Sequence, residues 1–284
     1  MWTFVWCVSV LFSRDGLEPT DRLVPPHWEG NPWGPAATRA RETGELPPIP
    51  MTPMMKQWDT WGKKVLRDGD IVFRRADARV LLGRFPFSRF VANASGSRFS
   101  HTGVVAIEKG EPVVYDTTKA GVRRQPFAVW ILDNVGALGV KRLRPERKTH
   151  AEAAVRWCRD VYDKQVPFDY ELGLDDQALY CVEMTEKAFR ASGLILSQPV
   201  RIGDMENATR YPVSIFLFHR LSNLTLDQAV YFPGNDRHGI WSSPDLVTIY
   251  QTPVEVPATA AKPGPSKPSE SAKQTAGRGR SSPN

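Results

Sequence analysis

A thiol can do acyl-transfer chemistry when its thiolate is stabilised and a base stands within hydrogen-bond reach. The chain has three cysteines, Cys7, Cys158 and Cys181. Only Cys181 has such a setting. It follows the polar loop Leu174-Asp175-Asp176-Gln177 and Tyr180. It precedes a helical pattern in which Val182, Thr185, Phe189 and Ser192 recur at three- and four-residue spacing, with Gly193 as the C-terminal stop. Cys181 is therefore predicted at or just before a helix N-terminus. Unpaired N–H groups and the helix dipole there favour an anion, which eases thiolate formation and could receive an oxyanion. Cys158 shares an apolar helical face with Ala154, Val155, Val161 and Tyr162, and reads as a small buried hydrophobe. Three cysteines are too few, and odd in number, for a disulfide framework, and no pair has zinc-type spacing. Neither metal nor cofactor is expected.

The base is sought among five histidines. His27 lies in an irregular stretch, His150 begins a helix, His219 is flanked by Arg220, and His238 sits in a Gly-Asn-Asp loop. His101 alone opens a strand directly after a Ser-rich loop, with Gly103 leaving room beside it. The strand His101–Ile107, the turn Glu108-Lys109-Gly110-Glu111 and the strand Pro112–Asp116 form a hairpin pattern. With Lys109-Gly110 as the tight turn, Gly103 faces Asp116 and His101 faces Thr118. Side chains alternate with period two, so His101 and Asp116 are diagonal neighbours on one face, roughly 7–8 Å apart at Cα with side chains in reach. Asp116 is a reasonable orienter for the imidazole; the alternative is that it only begins a turn with Thr117-Thr118.

The elements that must position these residues can be read around them. Thr52-Pro53 looks like a helix start, with Met54, Trp58, Trp61 and Val65 at helical spacing as a docking face. Asp68-Gly69-Asp70 is a turn before the strand Ile71-Val72-Phe73, and a short helix broken near Pro86 is expected between Val80 and Val91. Val122 and Val140–Leu143 suggest strands, His150–Lys164 a helix, and Ser214–Phe218 and Ala229–Phe232 strand-like segments, with Trp241–Tyr250 ending the core. Four regions result: an apolar N-terminal run in residues 1–14, an irregular Pro/Trp-rich lead-in with a short helix over 15–60, a catalytic domain over 61–250, and a Pro/Ser/Lys tail over 251–284. Nine of the 24 prolines fall between Pro19 and Pro53 and six from Pro253 onward, consistent with these boundaries. The tail cannot bury enough apolar surface to order itself.

Hydrophobic content of 41% and charged content of 24% are ordinary for a globular protein. The net charge is +6, of which the tail from Gln251 carries +3, so the folded part is only mildly basic. No basic stripe interleaves with aromatics, and nucleic acid is not expected as a partner. The apolar run over residues 2–12 is far short of the about 20 residues a membrane span needs, and no positive region precedes Arg14 as an export signal wants. It reads either as a clipped start or as the remnant of a signal or anchor. The second reading would allow membrane association through the N-terminus and favours a cell-envelope or secreted location.

The segments Gly69-Asp70-Ile71-Val72-Phe73, Ser100-His101-Thr102-Gly103-Val104-Val105, Val114-Tyr115-Asp116, Pro167-Phe168-Asp169-Tyr170, Tyr180-Cys181-Val182-Glu183 and Ser242-Ser243-Pro244-Asp245-Leu246 occur in that order. As an ordered set they resemble the permuted papain-like amidases of the YiiX/YaeF type, relatives of the NlpC-type cell-wall peptidases, over roughly residues 62–250. The resemblance implies an α+β fold, a small antiparallel sheet or half-barrel packed on helices that include the cysteine-bearing one. It implies Cys181 as nucleophile, His101 as base and a polar third member matched by Asp116. It also implies a cleft lined by Asp169, Tyr170 and Tyr180. Val182 departs from the serine that often follows the family's cysteine, while Glu183 keeps the match.

A monomeric cysteine hydrolase acting on amide bonds through a thioacyl intermediate is the leading expectation, with a small peptide, amide or acyl substrate such as peptidoglycan peptides or aminoacyl amides. The alternatives are a lipid-directed thiol acyltransferase or hydrolase, which would need a long apolar groove beside Cys181, and a catalytically silent envelope-associated binding protein.

Overall fold

The computed structural model describes residues 19–23, 25, 28–78, 87–210 and 225–253. The apolar N-terminal run, His27, the strand expected over Ser214–Phe218 with His219, and nearly all of the tail lie outside the described residues. The chain divides into one unit over Met1–Thr252 and a second over Pro253–Asn284; the site belongs to the first.

The helices are α1 (Pro35–Glu42), α2 (Pro53–Val65), α3 (Phe87–Ala94), α4 (Phe127–Trp130), α5 (Thr149–Asp163) and α6 (Cys181–Arg190). The strands are β1 (Ile71–Arg74), β2 (His101–Glu108), β3 (Glu111–Thr118), β4 (Gly121–Pro126), β5 (Leu138–Leu143), β6 (Val200–Arg201), β7 (Ala229–Val230) and β8 (Leu246–Gln251). Six of them build an antiparallel sheet in the order β4-β3-β2-β1-β5-β8; β6 and β7 pair separately. Helices beside an antiparallel sheet make this an α+β protein.

Period-two alternation sends each strand's side chains to two different cores. Ile71, Phe73, Val104, Ala106 and Tyr115 pack with Cys158 of α5 and Phe189 of α6 on one face. Val72, Val105, Val114 and Val140 pack with Phe127 and Trp130 of α4 on the other, against which Trp58 and Trp61 of α2 also lie. All four residues of β1 are buried, as a strand covered on both faces must be.

The hairpin register follows from its turn. Lys109 and Gly110 take φ of 52° and 83°, the positive pair that a two-residue turn matched to strand twist demands. Glu108 then faces Glu111 and Val104 faces Tyr115. Thr52 caps α2 by accepting the Met55 N–H at 3.2 Å. Trp58 and Trp61 of that helix dock as the spacing reads, while Met54 is half exposed and Met55 and Gly62 turn inward. In the lead-in, a 3-10 turn over Pro19–Leu23 and α1 are ordered elements. Pro35 supplies the preset φ at the start of α1, and Ala37 and Ala40 pack with Leu46. These alanines are too weakly apolar to have signalled a helical stripe.

Candidate active site

Cys181 is the first residue of α6. Tyr180 before it is extended (φ −102°, ψ 165°), its C=O accepts the Met184 N–H at 2.9 Å, and its N–H donates to Glu183 Oε2 at 3.3 Å. Glu183 thus reaches back over the first turn, one half of a capping box. Its carboxylate is fully buried and paired with Lys187 at 2.9 Å. Burial pushes it up to about 7 in spite of that partner.

The helix tip enters the sheet where the strands part. The β2–β3 ladder stops at Val104↔Tyr115, although β2 runs back to His101 and β3 on to Thr118. Beyond that point β2 pairs only with β1, where His101 faces Arg74, and β3 only with β4, where Asp116 faces Arg123. The opening is pinned by two threonines on the α6 face: Thr117 Oγ1 donates to Leu179 O at 3.3 Å and Thr102 Oγ1 to Cys181 O at 3.2 Å. Thr102 Oγ1 also lies 2.9 Å from Thr185 Oγ1.

Alternation sends His101 and Asp116 to the other face, beside Trp130. His101 Nε2 and Asp116 Oδ2 are 2.7 Å apart, the diagonal contact that the register allows. Gly103 permits it. A Cβ there would stand 2.5 Å from Val114 Cγ1, 3.0 Å from Tyr115 O and 3.3 Å from Asp116 Cβ, so any larger residue would push β3 away.

Asp116 is fully buried. Arg123 holds it with both prongs, Nε to Oδ1 at 3.0 Å and Nη2 to Oδ2 at 2.8 Å. Trp130 Nε1 donates to Oδ2 at 2.8 Å. Arg74, stacked over the Trp130 ring at 4.3 Å, brings Nη2 within 3.8 Å of Oδ2. Burial alone would raise this carboxyl; Arg123 and the His101 hydrogen bond overcome it and hold the group well below the usual carboxylate range. It is a permanent anion.

Cys181 as a residue is half-buried. The backbone N–H groups of Thr102 and Val182 and the charges of Asp116 and Arg74 all act on its thiol. Its neighbours are thus the residue after His101 and the carboxylate that holds His101. Desolvation outweighs the N–H groups and pushes the thiol up to about 12. This corrects the expectation of an easily formed thiolate. The helix tip supplies donors, but the sulfur sits too far out of water for them to prevail, so a neutral thiol is the resting form.

Asp169, Tyr170 and Tyr180 are placed differently from this trio. Tyr180 is in the main core, its hydroxyl accepting the Tyr231 N–H at 2.6 Å. Asp169 Oδ1 accepts the Glu171 N–H at 2.8 Å within its own loop. The partly exposed Tyr170 donates to Lys119 O at 3.2 Å. Val182 is buried in the main core, so its departure from serine changes packing, while its N–H remains on the thiol side. Cys158 is fully buried, and burial pushes its thiol far up. Sequence reasoning missed Arg74, Arg123 and Trp130. Arg74 carried a signal, a charged residue ending an all-apolar strand; Arg123 carried a weaker one, alternating with Val122. Among the described residues no group of three or more His, Cys, Asp or Glu could hold a metal ion, and no helix is long and apolar enough to cross a membrane.

A thiol at a helix tip, a base oriented by a buried anion and N–H donors beside the sulfur are together suited to nucleophilic attack on a carbonyl. Comparison with known proteins points the same way. The chain is 21% identical over 188 residues to the uncharacterized protein YiiX of Escherichia coli K12, covering 64% of this chain and 84% of that one. It superposes on a crystal structure described as the metalloprotein yiiX from Escherichia coli O157:H7 with a TM-score of 0.53 and 20% identity, over 66% of this chain and 97% of that one; at that identity the likeness speaks to fold alone. The profile of the permuted papain-like amidase enzymes, YaeF/YiiX, C92 family, matches residues 65–211, just over half of the 284 residues and the span that holds Cys181, His101 and Asp116, so the chain belongs to the permuted papain-like amidase family and is a papain-like hydrolase.

Proposed function

We propose that the protein cleaves amide bonds of small peptides or aminoacyl amides, with Cys181 as nucleophile, His101 as general base and acid, and Asp116 as the anion that orients His101. The observation that carries this reading is the 2.7 Å contact between His101 and Asp116, on the strand whose next residue, Thr102, donates its hydroxyl to the Cys181 carbonyl at 3.2 Å. Because the thiol rests neutral, its proton leaves as the bond to carbon forms. With Nε2 committed to Asp116, Nδ1 is the nitrogen that receives it.

Sulfur adds to the carbonyl carbon, and the displaced electron pair resides on oxygen, where the Cys181 N–H at the start of α6 is the nearest helix donor. Collapse of the tetrahedral species expels the amine, protonated by the His101 imidazolium, and leaves a thioester. His101 then takes a proton from water, whose oxygen attacks the thioester, and the acid departs as the thiol is regenerated. Asp116 takes no proton at any stage, since two arginines and Trp130 keep it charged; it fixes the ring and stabilises the imidazolium.

The test is hydrolysis of a panel of aminoacyl and dipeptidyl coumarylamides, with mass spectrometry for an acyl adduct on Cys181. Cys181→Ala and His101→Ala should each abolish turnover with the melting temperature little changed. Full activity in either variant would end the proposal.

A further inference from the structure

The site is braced from a part of the chain outside residues 65–211, which the family profile matches. The 3-10 turn Pro19–Leu23 carries two buried polar residues, Thr20 and Asp21, with 0% and 7% exposure. Thr20 gives both of its donors to Asp133, N–H to Oδ1 at 3.0 Å and Oγ1 to Oδ2 at 2.7 Å, and its hydroxyl accepts Gln125 Nε2 at 3.2 Å. Asp133 in turn lies 3.3 Å from Arg74 Nη1, and that nitrogen also donates to the Trp130 carbonyl. Asp21 Oδ1 lies 3.5 Å from Arg123 Nη1. Arg74 and Arg123 are the two guanidinium groups that converge on Asp116.

We infer that Thr20 and Asp21 are positioning residues for His101, acting through the two arginines that share Asp116. Two buried cations against one carboxylate would leave an excess of positive charge beside the imidazole, and both would draw on the oxygen that holds His101 Nε2. Asp21 and Asp133 give each guanidinium a second anion. Asp116 is thereby left able to hold a charged imidazolium when His101 takes the thiol proton. Thr20 supplies two of the donors that fix Asp133, and so sets where Arg74 lies on Trp130. A segment that merely filled the core would not need to carry a carboxylate into a buried arginine cluster, where an unpaired charge is destabilising.

This inference rests on the proposed role of His101, and the experiment separates the two. In the full chain, Asp21→Asn, Thr20→Val, Asp21→Glu and His101→Ala are compared by the low-field Nε2–H proton resonance of His101 and by the rate of iodoacetamide alkylation of Cys181 at pH 8. Asp21→Asn is expected to move the resonance and slow alkylation by about tenfold, as the loss of base orientation should. Thr20→Val should do so more weakly, and Asp21→Glu should recover both readouts. Should Asp21→Asn fail to fold, Thr20→Val decides. A lowered melting temperature in Asp21→Asn and Thr20→Val with an unmoved resonance and a wild-type rate would overturn the inference, provided that His101→Ala still slows alkylation. If His101→Ala itself alkylates at the wild-type rate, the proposed function falls and the inference with it.

Discussion

At the scale of single residues the site is governed by how far each charge is from water. Asp116 remains ionised because Arg123 and His101 overcome its burial, whereas Cys181 remains protonated because nothing overcomes its own. In His101→Ala, which lacks the base, iodoacetamide alkylation should therefore climb by about tenfold per pH unit from pH 7 to 10, since only thiolate formed by solvent reacts there. A plateau beginning near neutral pH in that variant would mean that the fold itself holds the thiol down. Asp116→Asn is not a mild change in this setting. An amide can accept at only one of its two ends, and the loss of charge takes from Arg123 its bidentate partner and leaves the two guanidinium groups only Asp21 and Asp133. Breaking such a pair costs about 3–5 kcal/mol, so a melting temperature well below that of His101→Ala is expected, along with loss of turnover. The pairing of His101 with Asp116 was legible because a tight turn fixes which residues face each other. Arg123 was not, because nothing local says that a strand arginine will turn to a carboxylate rather than to solvent.

At the scale of elements, the decisive feature is α6 meeting the sheet. Its start was legible from periodicity and from the loop before it. The burial that sets the thiol's protonation was not, since it arises where the helix start meets strands β2 and β3, far off in sequence. Gly103→Ala should cut turnover by at least tenfold, because the added Cβ would stand 2.5 Å from Val114 Cγ1, 3.0 Å from the Tyr115 carbonyl and 3.3 Å from Asp116 Cβ, and making room for it shifts Asp116. Glu183, three residues into the first turn by its bond to the Tyr180 N–H, makes a prediction about pH. Its ordinary value of 4.5 rises to about 7 in the fold. A raised carboxyl contributes stability that is fully present below the unfolded value and is lost as pH rises through the folded one. The melting temperature should thus decline between pH 4.5 and about 7, and Glu183→Gln, which keeps an acceptor for Tyr180, should flatten that decline. An identical slope in the variant would remove Glu183 from the account.

At the scale of the whole molecule, the sheet is covered on both faces and its two sides do different work. One face docks the helix that Cys181 begins; the other holds His101 and its buried charges, and the parting of β2 from β3 opens between them. The alternation of apolar strand residues made such a two-sided sheet readable. The lead-in was less readable, because α1 relies on alanines and a proline start, and because Thr20 and Asp21 act through residues about a hundred positions away. At the other end, Thr252 binds back to the sheet: its hydroxyl accepts the Leu138 N–H at 3.0 Å and its carbonyl accepts Arg98 Nη2 at 2.7 Å. A chain cut after Pro253 should therefore melt with the full-length protein, and one cut after Tyr250 should melt lower by calorimetry.

The parting of β2 from β3 has one more consequence. The Thr102 N–H, which in an ordinary hairpin would be spent on the neighbouring strand, acts on the Cys181 thiol instead. Thr102 is thus a backbone reporter on the proposed nucleophile. Its deuterium uptake should be slow while the thiol is intact and quicken once the sulfur is removed or carries an acyl group, so occupancy of the enzyme could be followed at one backbone position without any chromogenic substrate.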